Sequence, residues 1–495
     1  MVSDLMSRPA EQLSESDKAW DQLPKSAALW FASQVLGSSM TEALHTMKRV
    51  QWLSTDELLA RSEKKLATVL DHSVHHVPFY RDLFSSQALE IENSSAIECL
   101  RQFPVLSKSM YRQYPPEHFL AANIPPERRL LWTTSGSTGE PFSFYLDRKA
   151  MPVAFACHLF FDSWYGLRPF GRYVRIVMPP TARPKLASGI SVASRVRWKI
   201  ANRLQHVYES FTQRKICVMD VDRGQVERIY QQLEQFRPSF ILGYTSTLAF
   251  IAHELMDRQR RLSNQLQGVI TIAETLTQTR REIIEAYFNA PIINRYGLRE
   301  FGTWSAQSCS HAPTQLHLNS EMVVCEILRA DGSPAARGET GRVVLTDLHN
   351  YARPFIRYDT GDLAVAGVGP CDCGRGFPLL SRLDGRSIES IVTKSGKEIN
   401  PVVLGRYLRE GGPASLHSNH LEFIKHYQLV QETPASVRIL VVASKGFDSD
   451  RKERLRVDLC RLLGDDMAVA VEIVDEIKCE RSGKRPIIKV VRGAQ

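Results

Sequence analysis

The sequence contains no uninterrupted apolar run of the ~18–20 residues that a membrane-spanning helix requires, so no membrane partner is expected. Its first residues, Met1–Ser16, also lack the basic and then apolar pattern of a secretory signal. We therefore expect a cytoplasmic protein whose nine cysteines stay reduced. At 495 residues, the chain exceeds the ~250–300 residues of a single core, so two or more domains are expected.

Clustered basic charge of the kind found in nucleic-acid-binding modules is also scarce. Lys and Arg outnumber Asp and Glu by 63 to 54, a net charge of +9, but only Arg183–Arg203 is a dense basic run. Dispersed positive charge without a recognisable module argues against nucleic acid and is compatible with a nucleotide or coenzyme A as ligand. The sequence leaves the oligomeric state open, a dimer included.

A loop rich in glycine and hydroxyl side chains lies between two predicted strands, Leu130–Thr133 and Phe142–Leu146. Glycines let the backbone approach an anion, and hydroxyls and amides bind phosphate oxygens. The loop is not a Walker loop, because the lysine and the following helix are missing. We favour phosphate binding over the alternative of a plain polar hairpin. The loop residues are Thr134, Ser135, Gly136, Ser137, Thr138 and Gly139.

Strands and helices alternate in the middle of the chain, which predicts a parallel sheet with helices on its faces. Thr279 and Glu282 are predicted to cap the helix before the last of these strands. Ligands of such sheets bind beyond the carboxyl ends of the strands, where Glu274 and Tyr296–Gly297 lie. The predicted strands are 240–244, 269–273 and 292–296.

The predicted fold class is α/β. A large N-terminal domain, 1–385, is expected to combine parallel sheets flanked by helices with a β-rich subdomain. We divide it into a helical region at 1–130, a nucleotide-binding α/β core at about 131–317 and the β-rich part at about 318–385. A small, mobile α+β domain, 386–495, is expected to complete the chain.

A group of cysteines and histidines suggests a metal site. Cys371 and Cys373 are one residue apart in a predicted turn, and Cys309 precedes His311 and His317. Three sulfurs and one imidazole suit tetrahedral Zn²⁺, and four protein ligands make such a site structural. Unconnected reduced thiols are the alternative, because spacing alone does not bring distant ligands together.

Five motifs resemble, in order, those of the adenylate-forming ligases. The resemblance is strongest to the branch of phenylacetate–coenzyme A ligase and the adenylating proteins of capsular polysaccharide biosynthesis. Two upstream stretches, His75–Asp82 and Phe103–Lys108, agree as well, so the resemblance covers nearly the whole chain. The motifs are Thr134–Pro141, Ala273–Leu276, Arg295–Glu300, Tyr358–Leu363 and Ser482–Lys484.

The resemblance implies an enzyme that uses ATP and Mg²⁺ to activate a carboxylic acid as acyl-adenylate. Transfer of the acyl group to coenzyme A would follow, with an amine or a carrier-protein phosphopantetheine thiol as alternative acceptors. A non-catalytic scaffold with the same fold is the competing class. The presence of Glu300, Asp362 and Lys484 together argues against it.

The resemblance also assigns individual roles. It implies that Tyr296 stacks on adenine, Glu300 binds Mg²⁺, and Asp362 and Arg386 contact the ribose. Lys484 would reach the junction of the carboxylate and the α-phosphate, where a flexible ammonium suits a shifting charge. Further nucleotide contacts are implied for the loop 134–139 and for Ala273, Glu274, Arg295 and Gly297.

Two features stay open at this stage. The hinge acid typical of the family is replaced by Ile388, which puts the usual second half-reaction in question. Gly243 and Tyr244 are expected to line the acyl pocket. Nearby aromatic side chains favour an apolar or aromatic acid, although they fit a core equally well; they are Phe155, Phe160, Phe161 and Trp164.

The resemblance also bears on the metal site. Some members of this branch carry a structural zinc held by a similar cysteine–histidine and cysteine-x-cysteine arrangement. By that comparison His317 fits better than His311, so the expected ligands are Cys309, His317, Cys371 and Cys373.

Overall fold

A computed structural model describes most of the chain. The described residues are 38–87, 95–134, 142–167, 171–177, 185–186, 199, 203, 213–217, 223–386, 391–393, 398–399, 404–405, 407–408, 419–433, 435–464, 467–478 and 485–491. Within these ranges, none of the helices combines the length and the apolar character that crossing a membrane demands.

Ten α-helices are numbered here in chain order over the described ranges. They are α1 Ser38–Val50, α2 Thr55–His76, α3 Pro78–Gln87, α4 Ala96–Gln102, α5 Lys108–Gln113, α6 Met151–Ser163, α7 Arg223–Phe236, α8 Thr245–Asp257, α9 Gln278–Phe288 and α10 Ser449–Leu463.

The strands are numbered in the same way. They are β1 Leu106–Ser107, β2 Arg129–Thr134, β3 Phe142–Asp147, β4 Tyr173–Val177, β5 Lys185–Leu186, β6 Gln213–Cys217, β7 Phe240–Tyr244, β8 Gly268–Ile272, β9 Ile292–Leu298, β10 Thr303–Gln307, β11 Leu316–Leu318, β12 Val323–Leu328, β13 Thr340–Asp347, β14 Tyr358–Ala366, β15 Leu379–Arg386, β16 Ile391–Val392, β17 Glu398–Ile399, β18 Ile424–Thr433, β19 Ser436–Ala443, β20 Ala468–Ile473 and β21 Ile488–Val490.

One large sheet contains both the parallel and the antiparallel part of the predicted fold. Its order is β12-β13-β14-β15-β11-β10-β9-β8-β7-β4-β6, with β1 on β14. Pairing is parallel from β6 to β9 and antiparallel from β9 to β12. The predicted α/β fold is therefore confirmed, and β9 is the strand at which the two parts meet.

The parallel strands form where apolar residues are continuous. All of β8 and nearly all of β7 are buried, as expected for strands covered on both faces. Helix α9, between β8 and β9, does not begin where predicted. Its cap is Thr277, whose side chain accepts from the backbone N–H of Arg280 at 3.4 Å. Thr279 lies inside the first turn, so the predicted cap was wrong by two residues.

A second unit of structure, here called the C-terminal body, lies towards the C-terminus. Strands β20-β19-β18-β21 form a separate four-stranded sheet, and α10 packs on β20. Their apolar side chains form a core of their own, which includes Ile439, Val441, Leu455, Leu459 and Ile488. The boundary at residue 386 remains a prediction.

A buried arginine fastens the strand that follows the predicted phosphate loop. Arg353 is 1% exposed, and its guanidinium donates to the carbonyl oxygen of Ser143, in β3, at 3.0 Å. Aromatic faces surround this cation and replace part of its hydration. The guanidinium carbon lies 5.2–5.5 Å from the ring centroids of Tyr111, Phe119, Phe142 and Phe355.

We expect Arg353→Met to lower the free energy of unfolding by about 2–4 kcal/mol, because it removes the cation from the rings and its hydrogen bond to the Ser143 carbonyl. Urea unfolding followed by tryptophan fluorescence measures this change. Arg329→Ala, at an exposed arginine paired with Glu339, is the control and should leave the transition unchanged. Equal transitions for both variants would contradict the role given to Arg353.

Candidate active site

A hydrogen bond joins the end of β9 to the middle of β14. The hydroxyl of Tyr296 donates to Oδ2 of Asp362 at 2.7 Å. Burial, and then the charge of the Asp362 carboxylate, raise the pKa of Tyr296 well above its usual value. The phenol therefore stays protonated and acts as a fixed donor to Asp362.

Glycine is required directly after Tyr296. A Cβ at Gly297 would lie 2.6 Å from the carbonyl oxygen of Thr303 and 2.8 Å from the ring of Trp304. Any side chain would therefore push β9 away from β10. Trp304 is held in turn, since its indole N–H donates to Nδ1 of His158 at 2.9 Å.

Glu300 lies in a short 3₁₀ turn, Arg299–Phe301, between β9 and β10. Its side chain is 8% exposed, and its Oε1 lies 3.3 Å from Nζ of Lys108 and 3.4 Å from the hydroxyl of Tyr358. Tyr358 begins the strand that carries Asp362. Glu300 is thus linked through Tyr358 to the strand that carries Asp362, the partner of Tyr296.

The phosphate loop itself, from Ser135 to Gly139, lies outside the described residues. Its preceding flank is held close to Glu300, because the neighbouring Arg299 donates to the carbonyl oxygen of Thr133 at 3.3 Å. Thr134 ends β2. Lys484 also lies outside the described residues, as does the side chain of Arg386, which ends β15.

Glu274 has a role that the sequence did not reveal. Its carboxylate accepts from the backbone N–H of Ser246 at 2.6 Å and from the Ser246 hydroxyl at 2.9 Å. It therefore caps the start of α8, where an anion is stabilised by the free amides. Ala273, just before it, has a positive φ of 66°, a strained conformation for a residue with a side chain.

Arg295 points away from the Tyr296–Asp362 pair, because neighbouring residues on a strand face opposite sides. It is 4% exposed, and it donates to Oε1 of Gln307 at 2.6 Å and to Oδ1 of Asp162 at 2.9 Å. In this arrangement it holds α6 against β9. A direct contact of Arg295 with the nucleotide stays a prediction.

The expected acyl pocket is only partly defined. Gly243 lies at the end of β7, where a Cβ would come 3.0 Å from Leu248 and 3.1 Å from the carbonyl oxygen of Ile176. Tyr244 follows it and precedes α8. Phe160 and Phe161 are fully buried in the main core. Their presence therefore says nothing about the acid.

The four predicted metal ligands do come together. The ligand atoms of Cys309, His317, Cys371 and Cys373 all lie within 4.8 Å of one another. Sγ of Cys309 is 3.6 Å from Sγ of Cys371, and Sγ of Cys373 is 3.5 Å from Nε2 of His317. Hydrogen bonding from Cys309 lowers the pKa of Cys373, so the cluster favours thiolate at that sulfur.

Two residues of the site were not selected from the sequence. Lys108 and Tyr358 both contact Glu300, although Lys108 is 192 positions away from it. Both fall within stretches that carried the family resemblance, Phe103–Lys108 and Tyr358–Leu363. That resemblance was the available signal, since nothing in their residue types pointed to Glu300.

Known proteins resemble this chain in sequence and in fold. The model of the CapK C-terminal domain matches residues 391–490. Phenylacetate-coenzyme A ligase of Thermus thermophilus is 23% identical over 387 residues, 77% of this chain and 80% of that protein. The Escherichia coli protein of the same name is 26% identical over 364 residues, 70% and 75% of the two chains.

A solved structure of 2-hydroxyisobutyryl-CoA ligase in complex with R3-HIB-AMP matches the fold with a TM-score of 0.70. The match is 16% identical in sequence and covers 89% of this chain and 91% of that chain. The chain therefore has the fold of AMP-forming ligases. Its relatives and its family match lie in the branch of phenylacetate–coenzyme A ligase and CapK, as the resemblance of its motifs predicted.

Proposed function

We propose that the protein activates a carboxylic acid with ATP and Mg²⁺, releases pyrophosphate, and transfers the acyl group to coenzyme A. The observation that carries the proposal is the 2.7 Å hydrogen bond between Tyr296 and Asp362, close to Glu300 at the end of β9. A flat ring beside an oriented carboxylate suits a nucleoside, whose ribose hydroxyls are donors.

The reaction shifts negative charge. A carboxylate oxygen of the acid attacks the α-phosphorus, and the bond from that phosphorus to the pyrophosphate oxygen breaks. Groups that hold charge where it develops lower such a barrier. We assign this role to the amides and hydroxyls of the loop 134–139 and to the ammonium of Lys484.

Mg²⁺ bound with the nucleotide would neutralise part of the phosphate charge. Glu300 suits this ion, since magnesium takes carboxylate oxygens, and the residue is buried beside the strand end. Asp362 would accept from the ribose hydroxyls, with its orientation fixed by Tyr296. Arg386 would contact the ribose from the end of β15, opposite Asp362 in the strand register.

The acid we propose is apolar or aromatic. Support comes from the named relatives, which are phenylacetate-coenzyme A ligases. The same names support coenzyme A as acceptor. We also propose a small C-terminal domain from residue 386, which the family match at 391–490 supports.

Pyrophosphate exchange with a panel of acids, followed by mass spectrometry with coenzyme A, tests the function. We expect acid-dependent exchange and an acyl-coenzyme A product. Acyl-adenylate that accumulates beside coenzyme A, but is discharged by an amine, would contradict the proposed acceptor. No exchange with any acid would favour a non-catalytic protein.

Lys484→Ala should reduce pyrophosphate exchange about 10²–10³-fold, because it removes a cation that acts on the developing charge. ATP binding and thermal unfolding should remain as in the wild type. Lys489→Ala is the matched control, since Lys489 is an exposed lysine of the same segment. Wild-type exchange by the Lys484 variant would remove the assignment.

We further propose that the cysteine–histidine cluster holds Zn²⁺ as a structural ion. Zinc ligands at ~2.3 Å for sulfur and ~2.0–2.1 Å for nitrogen, at tetrahedral angles, place two sulfurs about 3.8 Å apart and sulfur and nitrogen about 3.6 Å apart. The corresponding separations here are 3.6 Å and 3.5 Å. Backbone N–H groups of Ala312 and Cys373 also point at the sulfurs of Cys309 and Cys371.

Freshly purified protein should contain about one zinc per chain by elemental analysis, as a four-ligand site implies. Cys371→Ser should lose the metal and lower the Tm by about 5 °C or more, because metal binding contributes to folding. Cys217→Ser, at an exposed cysteine away from the cluster, serves as control. Wild-type protein free of zinc, or an unchanged metal content in the Cys371 variant, would refute the site.

A further inference from the structure

Arg485, the residue after Lys484, is held by α8 and α9, two helices that flank the large sheet. Arg485 is 7% exposed, and its backbone N–H donates to the hydroxyl of Ser246 at 3.3 Å. Its carbonyl oxygen accepts from the guanidinium of Arg280 at 2.8 Å. Both peptide groups of Arg485 are therefore held by residues of α8 and α9.

The side chain of Arg485 strengthens the same attachment. Its guanidinium carbon lies 4.5 Å from the ring centroid of Phe250 in α8, and its Nε donates to the carbonyl oxygen of Ile477 at 3.0 Å. One face of the guanidinium thus packs on α8, while its Nε binds the C-terminal body. Arginine can do both, because its guanidinium is planar and carries several donors.

The attachment point is linked to the strand ends. Glu274, directly beyond β8, accepts both the N–H and the hydroxyl of Ser246, and lies 4.0 Å from Arg280. One carboxylate thus orients both residues that hold Arg485. Lys484 directly precedes Arg485 in the sequence, so these contacts act on the residue to which it is bonded.

The seam also contains a cavity. A cavity of about 200 Å³ lies between the two bodies and is lined by both. Further contacts among the described residues include an ion pair of Lys425 with Asp257. The ring of His426 also lies 5.2 Å from that of Phe250 and 5.4 Å from that of His253. Arg485 adds two backbone hydrogen bonds and a cation–π contact to this seam, which tie the C-terminal body to α8 and α9.

We propose that Arg485 is a positioning residue for Lys484 in the adenylation step, an inference that rests on the proposed function. Arg485, Ser246 and Arg280 form what we call the Arg485 latch. The latch fastens Arg485 to α8 and α9, the helices that follow β7 and β8. Transfer of an acyl group from finished acyl-adenylate has no pyrophosphate leaving group, and so does not require the latch.

Measuring both half-reactions tests the proposal. The variants are Arg485→Ala, Arg485→Lys and Arg280→Ala. Pyrophosphate exchange should fall roughly 10²-fold in Arg485→Ala, as for a displaced catalytic group, and Arg485→Lys should not restore it. Arg280→Ala should lose less pyrophosphate exchange than Arg485→Ala, because residue 280 lies in α9 and its substitution leaves the C-terminal body intact. Transfer from chemically supplied acyl-adenylate should stay at the wild-type rate, and Arg456→Ala, an exposed arginine of α10, should change neither.

Equal losses of both half-reactions, or unchanged exchange in both Arg485 variants, would overturn the proposal. Hydrogen exchange of the amides at 245–250 and 485–490 gives a readout that needs no activity. Both segments should exchange faster in Arg485→Ala and Arg280→Ala than in Arg456→Ala, and unchanged protection would refute the latch. A wild-type protein without pyrophosphate exchange would instead refute the ligase function, while hydrogen exchange would still decide whether the latch exists.

Discussion

The hydrogen bond between Tyr296 and Asp362 is the contact on which the site depends. It exists because β9 pairs in parallel with β8 and antiparallel with β10, so its carboxyl end faces both parts of the sheet. The parallel part leaves the strand ends open to a ligand. The antiparallel part contains β14, which places Oδ2 of Asp362 2.7 Å from the hydroxyl of Tyr296. Glu300 lies in the turn that joins the two parts.

Parts of the fold with a local cause were predictable from the sequence. The strand at 240–244 was predicted with its observed bounds, because a continuous apolar run between turns has few other solutions. Four metal ligands were predicted from residue type, spacing and resemblance, and their ligand atoms lie within 4.8 Å of one another. The cap of α9 was missed, since Thr277 and Thr279 are both suitable caps and only packing decides between them.

Long-range partners were not predictable in the same way. Glu274 is engaged by Ser246, 28 positions earlier, and Glu300 by Lys108, 192 positions earlier. No local pattern encodes such pairs. The opposite facing of Arg295 and Tyr296, in contrast, follows from strand alternation, once both residues are placed in β9.

The central claim is that the acid attacks the α-phosphorus of ATP, and oxygen transfer tests this most directly. With a substrate acid labelled with ¹⁸O in its carboxylate, the attacking oxygen becomes the bridge of the acyl-adenylate and leaves with AMP when the acceptor takes the acyl group. The account predicts one ¹⁸O atom in each AMP formed, measured by mass spectrometry. Label in inorganic phosphate, with ADP as the nucleotide product, would show attack at the γ-phosphorus and contradict it.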